Sequence, residues 1–369
     1  MTNHRVLGHR ELNRALLARQ HLLSRVRMPA LDMVRHLAGL QAQHPTSSYF
    51  TLWARLADFD PQELAGLMTD RKVLRIALMR STIHTVTADD SLAWRPLLLP
   101  VMERMFTTSH LRATADADRD ELTALGRAFI EEKPRTFAEV GAYLGERWPD
   151  AQPTALAAAL RTWAPLVQVP PRGLWGRSGP VAHTTAEHWL GRPLDTAPAV
   201  DDMVLRCLAA LGPMTAKDVQ VWSGLTRLAP VLEGLRPRLV AFRDERGREL
   251  FDLPDAPRPD PETPAPVRFI ADFDNITLSH DDRTRVISRA WQKWRLGQGS
   301  KLWGSVLVDG FVRGAWRVER TKDTATLLVA SGPEPTGAIA SHRDELEAEG
   351  GRLLGFAAQD RDKHDIAFA

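Results

Sequence analysis

Two glutamines separated by a single residue, Gln41 and Gln43, form the polar pair whose spacing most directly suggests chemistry. In an extended chain, alternate side chains point to the same side, so the two amides could hold one water molecule or one edge of a ligand. In a helix, residues two apart do not face each other, and the pair would be only the polar end of a helix. Pro45 disfavours helical geometry at His44. The spacing alone leaves both interpretations open.

Other polar side chains fit structural roles better than catalytic ones. Asp272 and Asp274 resemble a metal-binding acidic pair, but a third fixed carboxylate is missing nearby in the sequence, so we expect them to anchor the end of a strand. His84 lies in a β-branched stretch and is typical of a buried, hydrogen-bonded histidine. Cys207, the single cysteine, lies among apolar residues and is expected to be an inert core thiol.

Several protein classes are excluded by what the sequence lacks. One cysteine cannot build a disulfide framework, a cysteine-ligated zinc site or an iron–sulfur cluster. The sequence has no HExxH zinc motif, no GxSxG nucleophile motif, no phosphate-binding glycine loop and no dinucleotide fingerprint. We therefore expect neither a metal nor a cofactor. Because no apolar run approaches the roughly 18 residues that span a bilayer, we expect a cytoplasmic protein without a membrane partner.

Charge is balanced over the whole chain but not along it. The 369 residues carry 48 basic and 46 acidic side chains, and arginine outnumbers lysine 41 to 7. This excess reflects either codon bias in a GC-rich genome or a surface for phosphate, which arginine binds bidentately. Residues 1–60 carry 8 basic and 4 acidic groups and residues 268–320 carry 10 and 6, whereas residues 321–369 are acidic. If the fold joins the two basic segments, they would line one groove.

The elements that must position these residues repeat along the chain. Residues 136–139 have a capping-box pattern that predicts a short helix; a further helix follows, and then two strands around a Pro/Gly turn within residues 166–180. The same order returns from residues 215–218 to a predicted hairpin over residues 238–252. Helices followed by a hairpin, with a capped middle helix, outline a winged helix. The first 90 residues fit this outline more loosely.

We therefore predict an α+β fold in which three tandem winged-helix units and a C-terminal β-rich module form one curved body. The units are predicted at residues 1–115, 116–195 and 196–256. A proline-dense linker follows over residues 257–266, and the β-rich module over residues 267–369.

The motifs together resemble the AlkZ-like tandem winged-helix DNA glycosylases, of the type associated with self-resistance to DNA-alkylating antibiotics. The resemblance runs from about residue 5 to 358. It is carried in order by LAGLQAQ at 37–43, RSTIH at 80–84, residues 212–224, FDN at 273–275 with Arg283, and residues 308–316. In this family the catalytic motif is Gln-x-Gln, which maps onto Gln41 and Gln43. Ser81 stands where the family pattern has glycine.

The resemblance implies a monofunctional glycosylase that hydrolyses the N-glycosidic bond of cationic N7-alkylguanine, including bulky adducts and crosslinks. A carboxamide cannot ionise and is a poor general base, but it can orient a water and aim its dipole at developing positive charge. That suffices when the leaving base is already cationic. We expect four further side chains to contact DNA or the lesion: His44, Arg80, His84 and Arg313.

The implied partner is double-stranded DNA carrying alkylated purines, bound by a monomer. The family's minor-groove hairpin is predicted at residues 302–318. The alternative is a non-catalytic winged-helix DNA-binding protein or transcriptional regulator, and winged helices can also serve only as scaffolding. Base release from an alkylated oligonucleotide separates the enzyme from both alternatives.

Overall fold

Sixteen α-helices and fourteen β-strands in three sheets make up the described part of the chain, which confirms the α+β class. The structure is a computed structural model, and it describes residues 5–114, 117–298, 303–334 and 337–369. The predicted boundary between residues 115 and 116 lies outside these ranges, as does Leu302, which is included in the predicted C-terminal hairpin. None of the described helices is long and apolar enough to cross a bilayer.

Caps and prolines begin two helices of the N-terminal third where the sequence predicts them. Asp60 accepts a 2.8 Å hydrogen bond from the backbone N–H of Gln62, and Pro61 follows it at the first helical position. Pro29 instead lies one position before the second helix, as its N-cap residue. The elements are β1 (Val6–Leu7), α1 (His9–Arg19), α2 (Ala30–His36), β2 (Leu40–Gln41), α3 (Ser47–Trp53), α4 (Pro61–Thr69), β3 (Val73–Ala77), β4 (Ile83–Thr87), α5 (Ala88–Leu97) and α6 (Leu99–Ser109).

The next part of the chain contains the predicted capping box. The backbone N–H of Thr136 donates to the carboxylate of Glu139 at 2.7 Å, and the N–H of Glu139 donates back to the threonine hydroxyl. The second strand predicted within residues 166–180 begins only at Ala182, because the prolines before it have no N–H to donate to a sheet. The elements are α7 (Arg119–Glu132), β5 (Arg135–Thr136), α8 (Phe137–Arg147), α9 (Pro153–Trp163), β6 (Leu166–Gln168), β7 (Ala182–Thr185) and α10 (Ala186–Leu190).

Residues 200–252 repeat the order of capped helix and hairpin. Thr215 forms the second capping box with Asp218, and Gly224 ends that helix in the left-handed region at φ 84°. Cys207 is fully buried and burial raises its pKa, which confirms the predicted core thiol. The elements are α11 (Val200–Leu211), α12 (Ala216–Ser223), α13 (Ala229–Gly234), β8 (Val240–Asp244) and β9 (Glu249–Asp252).

The C-terminal region is built on a five-stranded sheet. Its order is β10-β11-β12-β13-β14, antiparallel except for the last pair. The longest helix, α16, packs buried leucines such as Leu353 against it. The elements are β10 (Arg268–Ile270), α14 (Arg289–Leu296), β11 (Gly304–Val308), β12 (Phe311–Arg320), β13 (Thr324–Ala330), α15 (Ala338–Ser341), α16 (Arg343–Ala357) and β14 (Lys363–Phe368).

The remaining two sheets join segments that are distant in sequence. One sheet has the order β2-β4-β3-β6-β7-β5, so strands from residues 1–115 and 116–195 pair within it. In the other, β1 runs parallel to β8 of the hairpin at residues 240–252. The proline-dense segment 257–266 has no helix or strand, and its backbone carbonyls accept hydrogen bonds from Arg10 and Arg14 of α1.

The two basic segments of the sequence do come together. Arg55, in the turn after α3, forms a buried, two-pronged ion pair with Asp274, with both N–O distances at 2.8 Å. This contact confirms the anchoring role predicted for Asp274. Many other arginines of these segments also pair with carboxylates inside the protein, so the basic surplus is not simply a surface charge.

Candidate active site

The glutamine segment is not helical, which excludes one of the two alternatives left by the sequence: Gln41 lies in a short strand, and the chain bends at Gln43. Helix α2 ends at His36, and Ala38 and Gly39, at φ 54° and 87°, turn the chain into β2. A Cβ on Gly39 would lie 2.7 Å from Val86, so only glycine fits this turn without a shift. Gln41 then pairs with His84 on β4.

The residue between the glutamines holds the segment in place. Ala42 is fully buried, its N–H donates to the carbonyl of Ile83 at 2.8 Å, and its carbonyl accepts from Arg75 at 3.0 Å. The two glutamines differ in their surroundings. Gln41 is buried, whereas the Gln43 side chain is exposed and makes no hydrogen bond to the described residues.

Arg80 binds the side chain of Gln41 directly. Its Nη2 donates to Oε1 of Gln41 at 2.6 Å, and its Nη1 donates to the carbonyl of Trp222. A guanidinium has no acceptor, so the amide oxygen of Gln41 must face Arg80 and its NH₂ group must point elsewhere. Burial lowers the pKa of Arg80 to about 10, and the group stays charged at neutral pH.

The turn that carries Arg80 is unusual. Arg80 and Ser81 both have positive φ, 56° and 58°, in the region that favours glycine. This explains the glycine of the family pattern at position 81. Gly224 makes room for the turn, since a Cβ there would lie 3.3 Å from the backbone of Arg80. The position of the guanidinium therefore depends on the end of α12.

His84 pairs with Gln41 across strands β2 and β4 and does not reach the surface. It is fully buried, and its Nδ1–H donates to the carbonyl of Thr82 at 2.9 Å. Burial, reinforced by the charge of Arg80, lowers its pKa to about 3. The imidazole is therefore neutral, and its Nε2 is an acceptor without a partner among the described residues.

His44 is exposed and lies beside a carboxylate that was assigned only a structural role above. Asp272 accepts a hydrogen bond from the hydroxyl of Ser47 at 2.8 Å, and its other oxygen is buried without a partner in the described part of the chain. Burial raises its pKa, although the nearby His44 and Arg295 counter this. Unlike Asp274, it forms no ion pair with any described residue, so the predicted anchoring role is incomplete for Asp272. The sequence pattern around Asp272 and Asp274 does not distinguish the two residues.

Two cavities meet at Asp272. One, of about 330 Å³, is lined by Asp272, Arg283 and Arg295 and by apolar residues such as Trp303. The other, of about 270 Å³, contains Asp272 and His44 together with an aromatic and basic wall: Phe50, Trp175, Trp316, Arg317 and Arg320. The glutamine segment is fixed to this region because Asn275 donates to the carbonyl of Gly39 at 2.8 Å.

Arg313 lies apart from this group. It is on β12, with its guanidinium 5.7 Å from the centre of the Phe311 ring and 3.9 Å from the carboxylate of Glu334. It lines a different cavity, shared with Phe368. The structure thus brings Gln41, Arg80 and His84 together, and does not place Arg313 with them.

The prediction that the hairpin of β11 and β12 inserts into a DNA groove is wrong. Its turn at Asp309 and Gly310 is docked on α1, where Asp309 pairs with Arg10 and Arg14, and Asn13 donates to the carbonyl of Gly310 at 2.9 Å. The Asp-Gly signal identifies a turn but not what covers it. The next turn, between β12 and β13 at residues 321–323, is exposed.

Comparisons with known proteins identify the family of the chain. A family model described as DNA glycosylase AlkZ-like matches residues 34–356. Among solved structures, the Streptomyces sahachiroi DNA glycosylase AlkZ is similar, with a TM-score of 0.73 and 18% sequence identity, over 99% of this chain and 100% of that one. A search of curated proteins found no match. The family model covers well over half of the chain, and the chain therefore belongs to the AlkZ-like family and is a DNA glycosylase.

Proposed function

We propose that this enzyme is a monofunctional glycosylase for cationic N7-alkylguanine in duplex DNA, including bulky natural-product adducts and interstrand crosslinks. Such an activity would confer self-resistance to a DNA-alkylating antibiotic. The observation that carries the proposal is the non-helical Gln-x-Gln segment, in which Arg80 binds Gln41 and the exposed Gln43 makes no hydrogen bond to the described residues.

The two amides would divide the work on one water molecule. The NH₂ of Gln41 donates to one lone pair of the water, and the carbonyl of Gln43 accepts one of its hydrogens, which leaves the second lone pair for C1′. As the water oxygen bonds to C1′, the C1′–N9 bond breaks and its electrons neutralise the cationic purine. The water's proton passes to solvent. The carbonyl dipole of Gln43 also stabilises positive charge developing on the sugar.

Such chemistry needs no strong base, because a cationic purine is already a good leaving group. A carboxamide pair would be too weak for a neutral base, whose departure requires protonation or stronger charge stabilisation. This is why we propose N7-alkylated purines as the substrate class, with Arg80 and His84 as positioning residues behind Gln41.

DNA would lie along a curved body of three winged-helix units, at residues 1–115, 116–195 and 196–256, with the C-terminal sheet beside it. We propose that the exposed turn between β12 and β13 enters the groove, because Arg317 and Arg320 near it share a cavity with His44. Arg313 would contact the backbone further along. A crosslinked base cannot enter a snug flipping pocket, so the lesion would be processed in place. We propose a monomer that acts on nucleoid DNA in the bacterial cytoplasm.

A base-release assay tests the proposal. A duplex carrying one N7-methylguanine or one bulky N7 adduct is incubated with enzyme, and abasic sites are cleaved with alkali. We expect strand cleavage that depends on both glutamines. A non-catalytic DNA-binding protein would retain the duplex and release no base, and product no greater than with buffer on every adduct would refute the proposal.

A further inference from the structure

Three arginines near the glutamines have no carboxylate partner. Arg80, Arg283 and Arg295 form no ion pair with the described residues, although many arginines of this chain do. Arg283 is half-buried, and the other two guanidinium groups are held inside the protein. Unpaired charge removed from water is costly, so this cluster requires an explanation.

The three groups also act on one another. The charge of Arg283 adds to the effect of burial in lowering the pKa of Arg80. The charge of Arg283 also lowers the pKa of Arg295. Burial is again the larger cause there, and the charges of Asp272 and Asp274 act in the opposite direction. Asp274 is already engaged by Arg55. Asp272 is the one carboxylate among the described residues that line the cavity with Arg283 and Arg295, so the three cations outnumber it.

The cluster opens onto a cavity that fits a nucleotide backbone. Arg283 and Arg295 line the 330 Å³ cavity, and Arg295 is steadied by a 3.1 Å hydrogen bond to the hydroxyl of Thr277. Apolar side chains, among them Trp303 and Ile287, also line this cavity. A phosphodiester offers an anion for the arginines and a sugar and base for the apolar side chains. A free inorganic anion would leave the apolar side chains unused.

We propose that Arg283 and Arg295, backed by Arg80, bind one phosphate of the damaged DNA strand next to the lesion. This site rests on the proposed function above and deepens it. Arg80 links the two places, because it adds charge to the phosphate site and holds the amide of Gln41. A phosphate seated here sets the position of the neighbouring C1′ relative to the glutamines.

The test neutralises single phosphates. Duplexes with one N7-methylguanine carry a methylphosphonate at one position at a time on either side of the lesion, and binding is measured for wild type and Arg283→Gln. At one position the neutral linkage weakens wild-type binding about tenfold, the expected loss of a hydrogen bond between charged groups. Arg283→Gln should bind the unmodified duplex as weakly as wild type binds this methylphosphonate duplex. The methylphosphonate at that position should not weaken the binding of the variant any further. The variant's slope of log K against log salt is smaller by about one.

A matched control and a folding measurement complete the experiment. Arg27→Gln removes an exposed arginine paired with Asp58 at 3.0 Å, and is expected to leave the methylphosphonate pattern unchanged. Arg283→Gln removes a repelling charge, so its melting temperature should not fall. If the variant fails to fold, Arg283→Lys, which keeps the charge but not the two-pronged geometry, replaces it with a partial loss expected.

Two outcomes overturn the inference. One is a methylphosphonate effect that is equal in wild type and variant at every position. The other is stabilisation of wild type, but not of the variant, by inorganic phosphate at constant ionic strength without any methylphosphonate coupling, which would show a site for free anions. Coupling without base release would refute the proposed function and leave the phosphate site standing.

Discussion

The guanidinium of Arg80 lies 2.6 Å from the side-chain oxygen of Gln41. This contact makes the two glutamines unequal: Gln41 is held and buried, and Gln43 is free and exposed. The orientation of the Gln41 amide therefore follows from its contact with Arg80. Arg80 in turn depends on Trp222 and Gly224, which lie far away in the sequence.

Removing Arg80 should slow base release without abolishing it. Arg80→Ala deletes a charge-assisted hydrogen bond worth about 1.5–3 kcal/mol, which corresponds to roughly a 10- to 100-fold lower single-turnover rate. Arg80→Lys, which can still donate to Gln41, should recover part of the rate. The same rate for the alanine variant and wild type would contradict a positioning role.

The two glutamine variants should differ in stability although both lose activity. Gln41→Ala leaves a buried guanidinium without its acceptor and should lower the free energy of unfolding by about 1–3 kcal/mol. Gln43→Ala changes an exposed side chain and should stay within about 0.5 kcal/mol of wild type. Urea unfolding measures both. Equal losses would show that the Arg80 contact does not stabilise the fold.

Buried histidines should make the protein sensitive to acid. Burial lowers the pKa of His84 and His280 to about 3 and that of His183 to about 4. Below the unfolded pKa of about 6.5, the unfolded chain takes up protons that the folded chain refuses, so stability falls as pH drops from 6.5 towards 4. Each histidine adds a slope of up to about 1.4 kcal/mol per pH unit.

Urea unfolding from pH 8 to pH 4.5 measures this slope. His84→Gln should unfold with a shallower pH dependence than wild type, because one such proton uptake is gone. Above pH 7.5 the histidines should contribute no slope. An unchanged pH dependence in the variant would mean that His84 does not stay neutral in the folded protein.

Asp272→Asn should stabilise the protein at neutral pH. Burial raises the folded pKa of Asp272 above that of the unfolded chain, so keeping the carboxylate ionised costs stability at every pH above its unfolded pKa of about 3.8. The gain should vanish as the pH falls below 3.8, where both states are protonated. The melting temperatures of the two proteins at pH 7 provide the measurement. A lower value for the variant would show that interactions with the carboxylate, such as that of Ser47, outweigh its burial.

The sequence predicted what depends on near neighbours. The caps at Thr136 and Thr215 involve residues three positions away, and they are present as expected. The Gln-x-Gln motif was identified by its resemblance to a family. Whether the motif is helical was left open, and the turn at Ala38 and Gly39, which follows the end of α2, excludes the helical alternative.

What the sequence could not predict depends on distant partners. Asp272 and Asp274 look alike along the chain, yet only Asp274 meets an arginine, 219 residues away. Charge counts likewise cannot distinguish the arginines that pair with carboxylates from Arg283 and Arg295. These two form no ion pair with the described residues. The exposed strand Lys363–Phe368 also escaped prediction, because its first half is polar and lacks the pattern of a half-buried strand.

Tying the glutamine segment to later parts of the chain has a consequence for biosynthesis. The carbonyl of Gly39 accepts a hydrogen bond from Asn275. Arg80, which binds Gln41, also donates to the carbonyl of Trp222. A nascent chain on the ribosome therefore carries both glutamines long before it can hold them in place. An N-terminal fragment would contain the motif without the residues that hold it, so most of the chain must be synthesised before the two glutamines are in place.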